Sequence, residues 1–491
     1  MDTNQRIIEL LKIIGQGKMS NLSYDTAWIA RLGEIDYELS NHALAWLSEN
    51  QLSDGSWGAA TPNYYHDRII STLAAMLALM RRGRRSHDRK QIEDGLLALD
   101  RITRGATRGL QADPNGATVG FEMIAPTLVE EAEALGIIKQ QKDRILGQHS
   151  RMRTKKLEML KGLKINRHLT HAFSSEMAGS DGQHILDIDN LQEINGSVGN
   201  SPSATAYYAL SLRRGDVKAL AYLKKHIDLD GGAPNVAPFD IFEPAWVLWN
   251  LSLLNQPDEK LLDLYKPHLD KLLANWQPGK GIGHASEYTP KDSDDSALVY
   301  ELLSRFGYPV DIGSVLSYEE EAYFRCFSLE ANPSTSANIH VLGALKSAGF
   351  DSKHPSISKV LNFLRNNRID KRFWFDKWHA SPYYPTSHAI IAAHGLDEEL
   401  CLDAMSWIVE TQNPDGSWGY YQKPTGEETA YCLQALLYWE KKGEKVLRRR
   451  IDMGLAWLIE NQTPPYPPLW IGKGLYSPEH VVQSAILSVL N

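Results

Sequence analysis

One pattern constrains the chain more than any other. "LAWLSENQLSDGSWG" at 44–58 returns as "MSWIVETQNPDGSWG" at 405–419, and its first half returns at the start of "LAWLIENQTPPYPPLW" at 455–470. "LQEINGSVG" at 191–199 is a weaker copy, with Val198 where the others carry tryptophan. Each copy runs from an apolar stripe at helical spacing into Gln and then a turn. Asp54-Gly55 and Asp415-Gly416 supply turn chemistry, because glycine takes backbone angles that other residues resist. Trp57 and Trp418 can then pack back on the preceding helix while Gln51 and Gln412 satisfy loose backbone groups at a helix end. The unit is a helix, a staple and another helix.

Between the copies lie long 3.6-period segments such as "DRIISTLAAMLALMRRG" (67–83), "SPSATAYYALSLRRG" (201–215) and "EETAYCLQALLYWEKKG" (427–443), opened by acid or Ser and closed by Gly. Alternating β-type runs are nearly absent. The expected fold class is all-α, with paired helices stacked into toroids of alternating inner and outer helices. At 491 residues the chain exceeds what one core serves, so two such domains are expected.

With 43% hydrophobic and 23% charged residues and a mean hydropathy of −0.35, the chain reads as a soluble globular protein with no membrane span. The first twenty residues read as an amphipathic helix rather than a cleaved signal. Cys326, Cys401 and Cys432 lack metal-ligand spacing and suit buried thiols in a reducing compartment, so the expected location is cytoplasmic. A net charge of −8 gives no reason to expect nucleic acid, and the basic run "RRGRRSHDRK" (81–90) reads as a solvated inter-helix stretch.

The chemistry gathers in "KDSDDSALVY" (291–300), where Asp292, Asp294 and Asp295 crowd the mouth of a helix. Acids are favoured there by free N–H groups and the macrodipole, which is a sufficient structural reason for an arbitrary acidic start. A calcium loop is disfavoured by the missing Gly and distal Glu. The functional reading is general acid catalysis: carboxylates this close cannot all ionise, so one keeps its proton at neutral pH. Such an acid can protonate an unactivated alkene if aromatic faces stabilise the cation, and the chain has 13 Trp, 21 Tyr and 11 Phe.

At this point the sequence resembles the class II diterpene cyclases. "SYDTAW" (23–28), "YYHDRIISTLA" (64–74), "VGFEMIAPTL" (119–128), "NGSVGNSPSATAYYAL" (195–210), "DGGAPNVAPFDIFE" (230–243), "DSDD" (292–295), "DKWHASPYYPTSHAI" (376–390) and "EETAYCLQAL" (427–436) follow in the family's order over nearly the whole chain. The resemblance implies two α/α barrels with the active site between them: β, from 1–20 and 216–491, and γ, inserted as 21–215. It implies that geranylgeranyl diphosphate is protonated, closed into two rings and released with its diphosphate intact. Asp294 would be the acid, Asp292 and Asp295 would tune it, and Asn338 in "SANIHVLGAL" would hydrogen-bond it. Lys164 matches a lysine assigned to the diphosphate. Trp378, Tyr383, Tyr384 and Tyr476 are candidates for the cation-facing wall, each also compatible with core packing. His284 stands where many relatives carry Trp and reads as a cavity-lining ring without an acid-base task.

The departures from the family pattern shape the expected product. Asp113 alone remains of an acidic cluster thought to bind Mg2+. Ser175 replaces a deprotonating His, and Asp230 stands for its Asn partner. A cation left unquenched at its first tertiary centre undergoes hydride and methyl shifts, giving a halimadienyl or kolavenyl (clerodienyl) diphosphate. No DDxxD motif is present to remove the diphosphate, so a separate class I terpene synthase or phosphatase is expected downstream. The alternatives are an unrearranged copalyl diphosphate, a squalene-type triterpene cyclase, and a non-catalytic isoprenoid-binding toroid. A glycosidase is disfavoured, because three acids this close in sequence cannot flank a glycosidic bond.

Overall fold

The computed structural model describes residues 2–83, 85–109, 117–139, 144–145, 149–421, 423–443 and 448–491. Two hydrophobic cores divide it. One gathers residues from Ile7 to Leu22 and from Val236 to Val489, and the other gathers Tyr24 to Ala237. Helix Val217–His226 buries Ala219, Tyr222 and Leu223 in the second core. The boundary between cores therefore falls near 236, some twenty residues beyond the expected 216.

Around the first core, Phe242–Leu253, Ser293–Arg305, Thr335–Ser347, Tyr383–Ala393, Gly426–Lys441 and Glu479–Leu490 contact one another in succession, and the last returns to the first. These inner helices are buried along most of their length, polar side chains included; Thr335 to Leu345, for example, is buried without a break. Thr3–Ile13, Glu259–Asn275, Pro355–Asn366, Glu398–Glu410 and Arg448–Glu460 pack outside them with one buried stripe each, as an amphipathic outer layer requires. The second core closes likewise through Ser23–Ala30, Tyr65–Arg82, Phe121–Ala134, the short helical segment Thr170–Ala178 and Pro202–Tyr207. Both units are α/α barrels.

The repeated units act as staples. Trp57 Nε1 donates to Leu47 O and Trp418 Nε1 to Ile408 O, both at 2.8 Å. Gln51 and Gln412 donate to Gly55 O and Gly416 O within their own turns, then to Gln91 O and Arg450 O of the next helix but one. Trp374, outside the recognised repeats, makes the same bond to Leu364 O at 2.8 Å.

One element was not legible in the periodicity. Trp470–Ile471 and Leu475–Tyr476 form a two-stranded antiparallel hairpin, with Trp470 opposite Tyr476. It joins the barrels: Val119 N–H donates to Gly472 O (2.7 Å) from one side and Ile471 N–H to Trp378 O (2.8 Å) on the other. Among the described residues no helix is long and apolar enough to cross a membrane.

Candidate active site

Helix Ser293–Arg305 starts at Asp292, whose extended backbone and Oδ1 cap the first turn by accepting from Asp295 N–H at 2.7 Å. The cap buries Asp292 and Asp295, and each leaves one carboxylate oxygen without a partner. Burial pushes Asp292 up to about 7, and burial with the neighbouring Asp292 charge holds Asp295 well above the usual carboxylate range. Both therefore keep protons that exposed acids would lose.

Asp294 is directed differently. It is half-buried, and its Oδ1 lies 2.6 Å from His340 Nδ1 on helix Thr335–Ser347. His340 Nε2 in turn lies 3.0 Å from His388 Nδ1 on helix Tyr383–Ala393. Burial pushes His388 well below the usual imidazole range, so it stays neutral. If His340 donates from Nδ1 to Asp294, its Nε2 accepts from His388 Nδ1–H, and His388 Nε2 is left buried without a partner. One oxygen of Asp294 is then committed to His340, and Asp294 also borders the cavity.

That cavity has a volume of about 600 Å³ and is bordered by both barrels. Asp292, Asp294 and Asp295 contribute to it, with Phe239, Phe242, Trp470, Tyr476, Tyr288 and His284 on the β side and Phe173, Ser174 and Met177 on the γ side. Farther along the wall stand Lys156, ion-paired with the buried Glu122, and Lys377, ion-paired with Glu330. An acid, an aromatic lining and cations share one enclosure.

The positions expected from sequence divide sharply. Asp292, Asp294, Asp295, Trp378, Tyr476 and His284 do line the cavity. Burial pushes His284 down to about 3, which keeps it a neutral ring, and it packs 4.1 Å from Tyr288. Asn338 does not bond the acid. Its side chain accepts from Phe324 N–H (2.8 Å) and donates to Phe324 O (2.9 Å) and Ser334 O (2.8 Å), fastening a loop. Two residues on a helix differ by about 200° in direction, so Asn338 faces away where His340 faces Asp294.

Tyr383 packs in the core against Trp407 at 4.8 Å, and Tyr384 lies beneath the wall, accepting from Trp246 Nε1 at 3.2 Å. Lys164 is exposed and absent from the cavity lining, where Lys156 stands instead. Ser175 is fully buried and off the wall, while its neighbours Phe173 and Ser174 are on it. Asp230 is exposed and closes its own turn, accepting from Gly232 N–H (2.9 Å) and Trp46 Nε1 (3.2 Å); Asn235, five residues on, borders the cavity. Asp113 lies outside the described residues. Among the described residues no group of three or more His, Cys, Asp or Glu side chains is arranged to hold a metal.

His340, His388, Asn235, Lys156 and Trp470 escaped the sequence reading. The signal for the first two was weak: a single His on each of two buried apolar helices, one in "NIHVL" and one in "TSHAI".

Two helical barrels with a three-carboxylate helix start opening on an aromatic cavity are the arrangement of a terpene cyclase that begins by protonation. Comparison with known proteins agrees. The squalene-hopene cyclase C-terminal domain family matches residues 327–466. The chain is 49% identical to a type B diterpene cyclase of Mycobacterium tuberculosis over 97% of this chain and 96% of that protein. It is 29% identical to the (+)-kolavenyl diphosphate synthase of Herpetosiphon aurantiacus over 98% and 95% of the two chains. The structure of ent-copalyl diphosphate synthase from Streptomyces platensis superposes with a TM-score of 0.78 at 28% identity, covering 99% of each chain. The chain belongs to the class II (type B) diterpene cyclases.

Proposed function

We propose that this cyclase takes geranylgeranyl diphosphate and forms a rearranged bicyclic diphosphate of the halimadienyl or kolavenyl type. The observation that carries the reading is the setting of Asp294: fixed through one oxygen by His340, at the border of an aromatic cavity. The Asp294 proton forms a C–H bond at the terminal alkene, and the electron pair of that double bond is what the new bond uses. The resulting tertiary cation is attacked by the next alkene, and then by the one beyond, closing two rings. Faces of Phe239, Phe242, Trp470 and Tyr476 stabilise the positive charge as it moves. Burial raises Asp292 and Asp295, which lowers the share of carboxylate able to trap the cation.

Phe173 and Ser174 border the cavity beside Ser175, which replaces the family's deprotonating His, and burial pushes His171 on the same wall down to about 4; a ring, a hydroxyl and a weakly basic imidazole support the rearranged outcome. Hydride and methyl shifts then precede loss of a proton. The names of the relatives in the kolavenyl and copalyl series fit a diphosphate-bearing product. Lys156 is our candidate for holding the diphosphate. Magnesium remains part of the proposal: an ion riding on a diphosphate needs only one or two carboxylates, and Glu122, beside Lys156, is an acid on that wall. When bound it supplies charge neutralisation to the diphosphate. The retained diphosphate then passes to a separate class I terpene synthase or a phosphatase.

The test is incubation of the purified protein with geranylgeranyl diphosphate and magnesium, treatment with phosphatase, and mass spectrometry of the alcohols, with Asp294→Asn in parallel. A rearranged bicyclic alcohol from the wild type alone is expected. Geranylgeraniol alone from both proteins overturns the proposal.

A further inference from the structure

The hairpin that joins the barrels carries a charge into the γ core. Lys473, at its tip, is 0% exposed. Its ammonium donates to Glu176 Oε1 (2.6 Å), Ser201 Oγ (2.7 Å) and Ser203 Oγ (2.6 Å), so all three of its protons are used. Its backbone N–H donates to Asn235 Oδ1 at 3.0 Å. Tyr24 adds a bond to the same Glu176 oxygen at 2.9 Å, and Ser203 N–H donates to the buried Asp25 at 3.0 Å. An apolar side chain of similar length would fill this space without the cost of desolvating an ammonium and a carboxylate. What the charge adds over filling is position, because hydrogen bonds fix direction where apolar contacts do not.

The rest of the hairpin is held as tightly. A Cβ on Gly472 would meet Asn235 Nδ2 at 2.2 Å and one on Gly474 would meet Asp67 Oδ1 at 2.5 Å, so the tip fits its socket in one placement. At the other end Trp470 Nε1 donates to Glu427 Oε1 at 2.7 Å in the β barrel. Between these anchors Trp470, Ile471, Gly472 and Tyr476 form cavity wall. Lys473 does not line the cavity; its ammonium lies 4.5 Å from the ring of Phe173, which does.

We propose that Lys473 is a positioning residue for product choice: by keying the hairpin into the γ barrel through Glu176, Ser201 and Ser203, it fixes the Trp470–Tyr476 wall against the folded polyene and so sets which cation loses its proton. This rests on the cyclase reading above. A wall free to move by a fraction of an ångström changes which carbon lies against an aromatic face, and competing cation fates differ by small barriers, about 1.4 kcal/mol for each tenfold in ratio.

The test compares wild type, Lys473→Met/Glu176→Gln and Ser203→Ala with geranylgeranyl diphosphate and magnesium. It reads the ratio of dephosphorylated products alongside kcat, KM and Tm. The double variant removes both buried charges together, so neither is stranded. It is expected to raise monocyclic or unrearranged products at least fivefold relative to the main one, and Ser203→Ala is expected to shift the ratio the same way by about twofold. A purely structural lysine lowers Tm and the active fraction but leaves the product ratio unchanged; that result from either folded variant overturns the proposal. Should the double variant not fold, Ser203→Ala, which keeps the ion pair, decides alone. A wild type that makes no bicyclic product instead overturns the cyclase reading, and does so before any variant is compared.

Discussion

Replacing Asp292 by Asn isolates the energetic burden of the acid cluster. Asn caps a helix about as well as Asp, so its Oδ1 keeps the bond from Asp295 N–H. What changes is the ionisable group, which burial holds at about 7 against an ordinary 3.8. The folded protein thus retains a proton at Asp292 that the unfolded chain has released. The stability this contributes is whole below about pH 4, falls as pH rises, and is lost above the folded value near 7. A displacement of about three pH units at about 1.36 kcal/mol each sets a ceiling of about 4 kcal/mol. With unfolding entropy near 2.1 cal/mol/K per residue, a chain of 491 residues converts this to roughly 4 °C. Thermal melts of both proteins between pH 4 and 8.5 measure it. Asp292→Asn is expected to melt with the wild type at pH 4 and progressively above it toward pH 8. Parallel melting curves across the whole range would show that Asp292 is not held protonated, and the account of the cluster would fail.

Removing the His340 ring, as His340→Ala, is expected to lower kcat about 10²- to 10³-fold with little change in KM, measured in steady state, because it unfixes the acid rather than the substrate. Asn338→Ala spares the contact between Asp294 and His340 but strands the Phe324 backbone, so Tm should fall by the equivalent of about 1–3 kcal/mol while kcat stays within about tenfold. Lys156→Ala is expected to raise KM for geranylgeranyl diphosphate about tenfold, the equivalent of about 1.4 kcal/mol of lost binding, whereas Lys164→Ala, at an exposed position, leaves KM within about twofold. Equal effects from the two lysines in substrate-saturation curves would remove Lys156 from its proposed role.

The repeats and the helical period made the double barrel legible, because a buried inner helix and a stapled turn leave local marks in composition. The acid cluster was legible for a similar reason: its three members lie within four residues and one helix start. Partners that meet across the barrel left no such mark. His340 reaches Asp294 from 46 residues away, and only the helix's direction decides that it, and not Asn338, faces inward. Lys164 and Lys156 lie about two helical turns apart in sequence, and the choice between them depends on how segment 149–165 enters the γ barrel. Tyr383 and Tyr384 show the same limit, since an inner helix buries every side and aromatic content cannot tell the wall from the layer beneath it. The hairpin at 470–476 is too short for any periodicity, though it supplies both wall and link.

The first helix, Thr3–Ile13, completes the barrel whose remaining helices begin at Phe242 and end at Leu490, while the whole of the γ core is made of chain in between. During synthesis this order imposes a wait. Helix Thr3–Ile13 packs on both Glu259–Asn275 and Glu479–Leu490, so its apolar face is fully covered only once Glu479–Leu490 has been made. All residues of the γ core precede the Lys473 tip in the chain, so the socket for that tip is made before the hairpin that fills it. The same order makes residues 3–19 a weak point: their buried side chains belong to the core of the β barrel, so their loss is expected to open that barrel first.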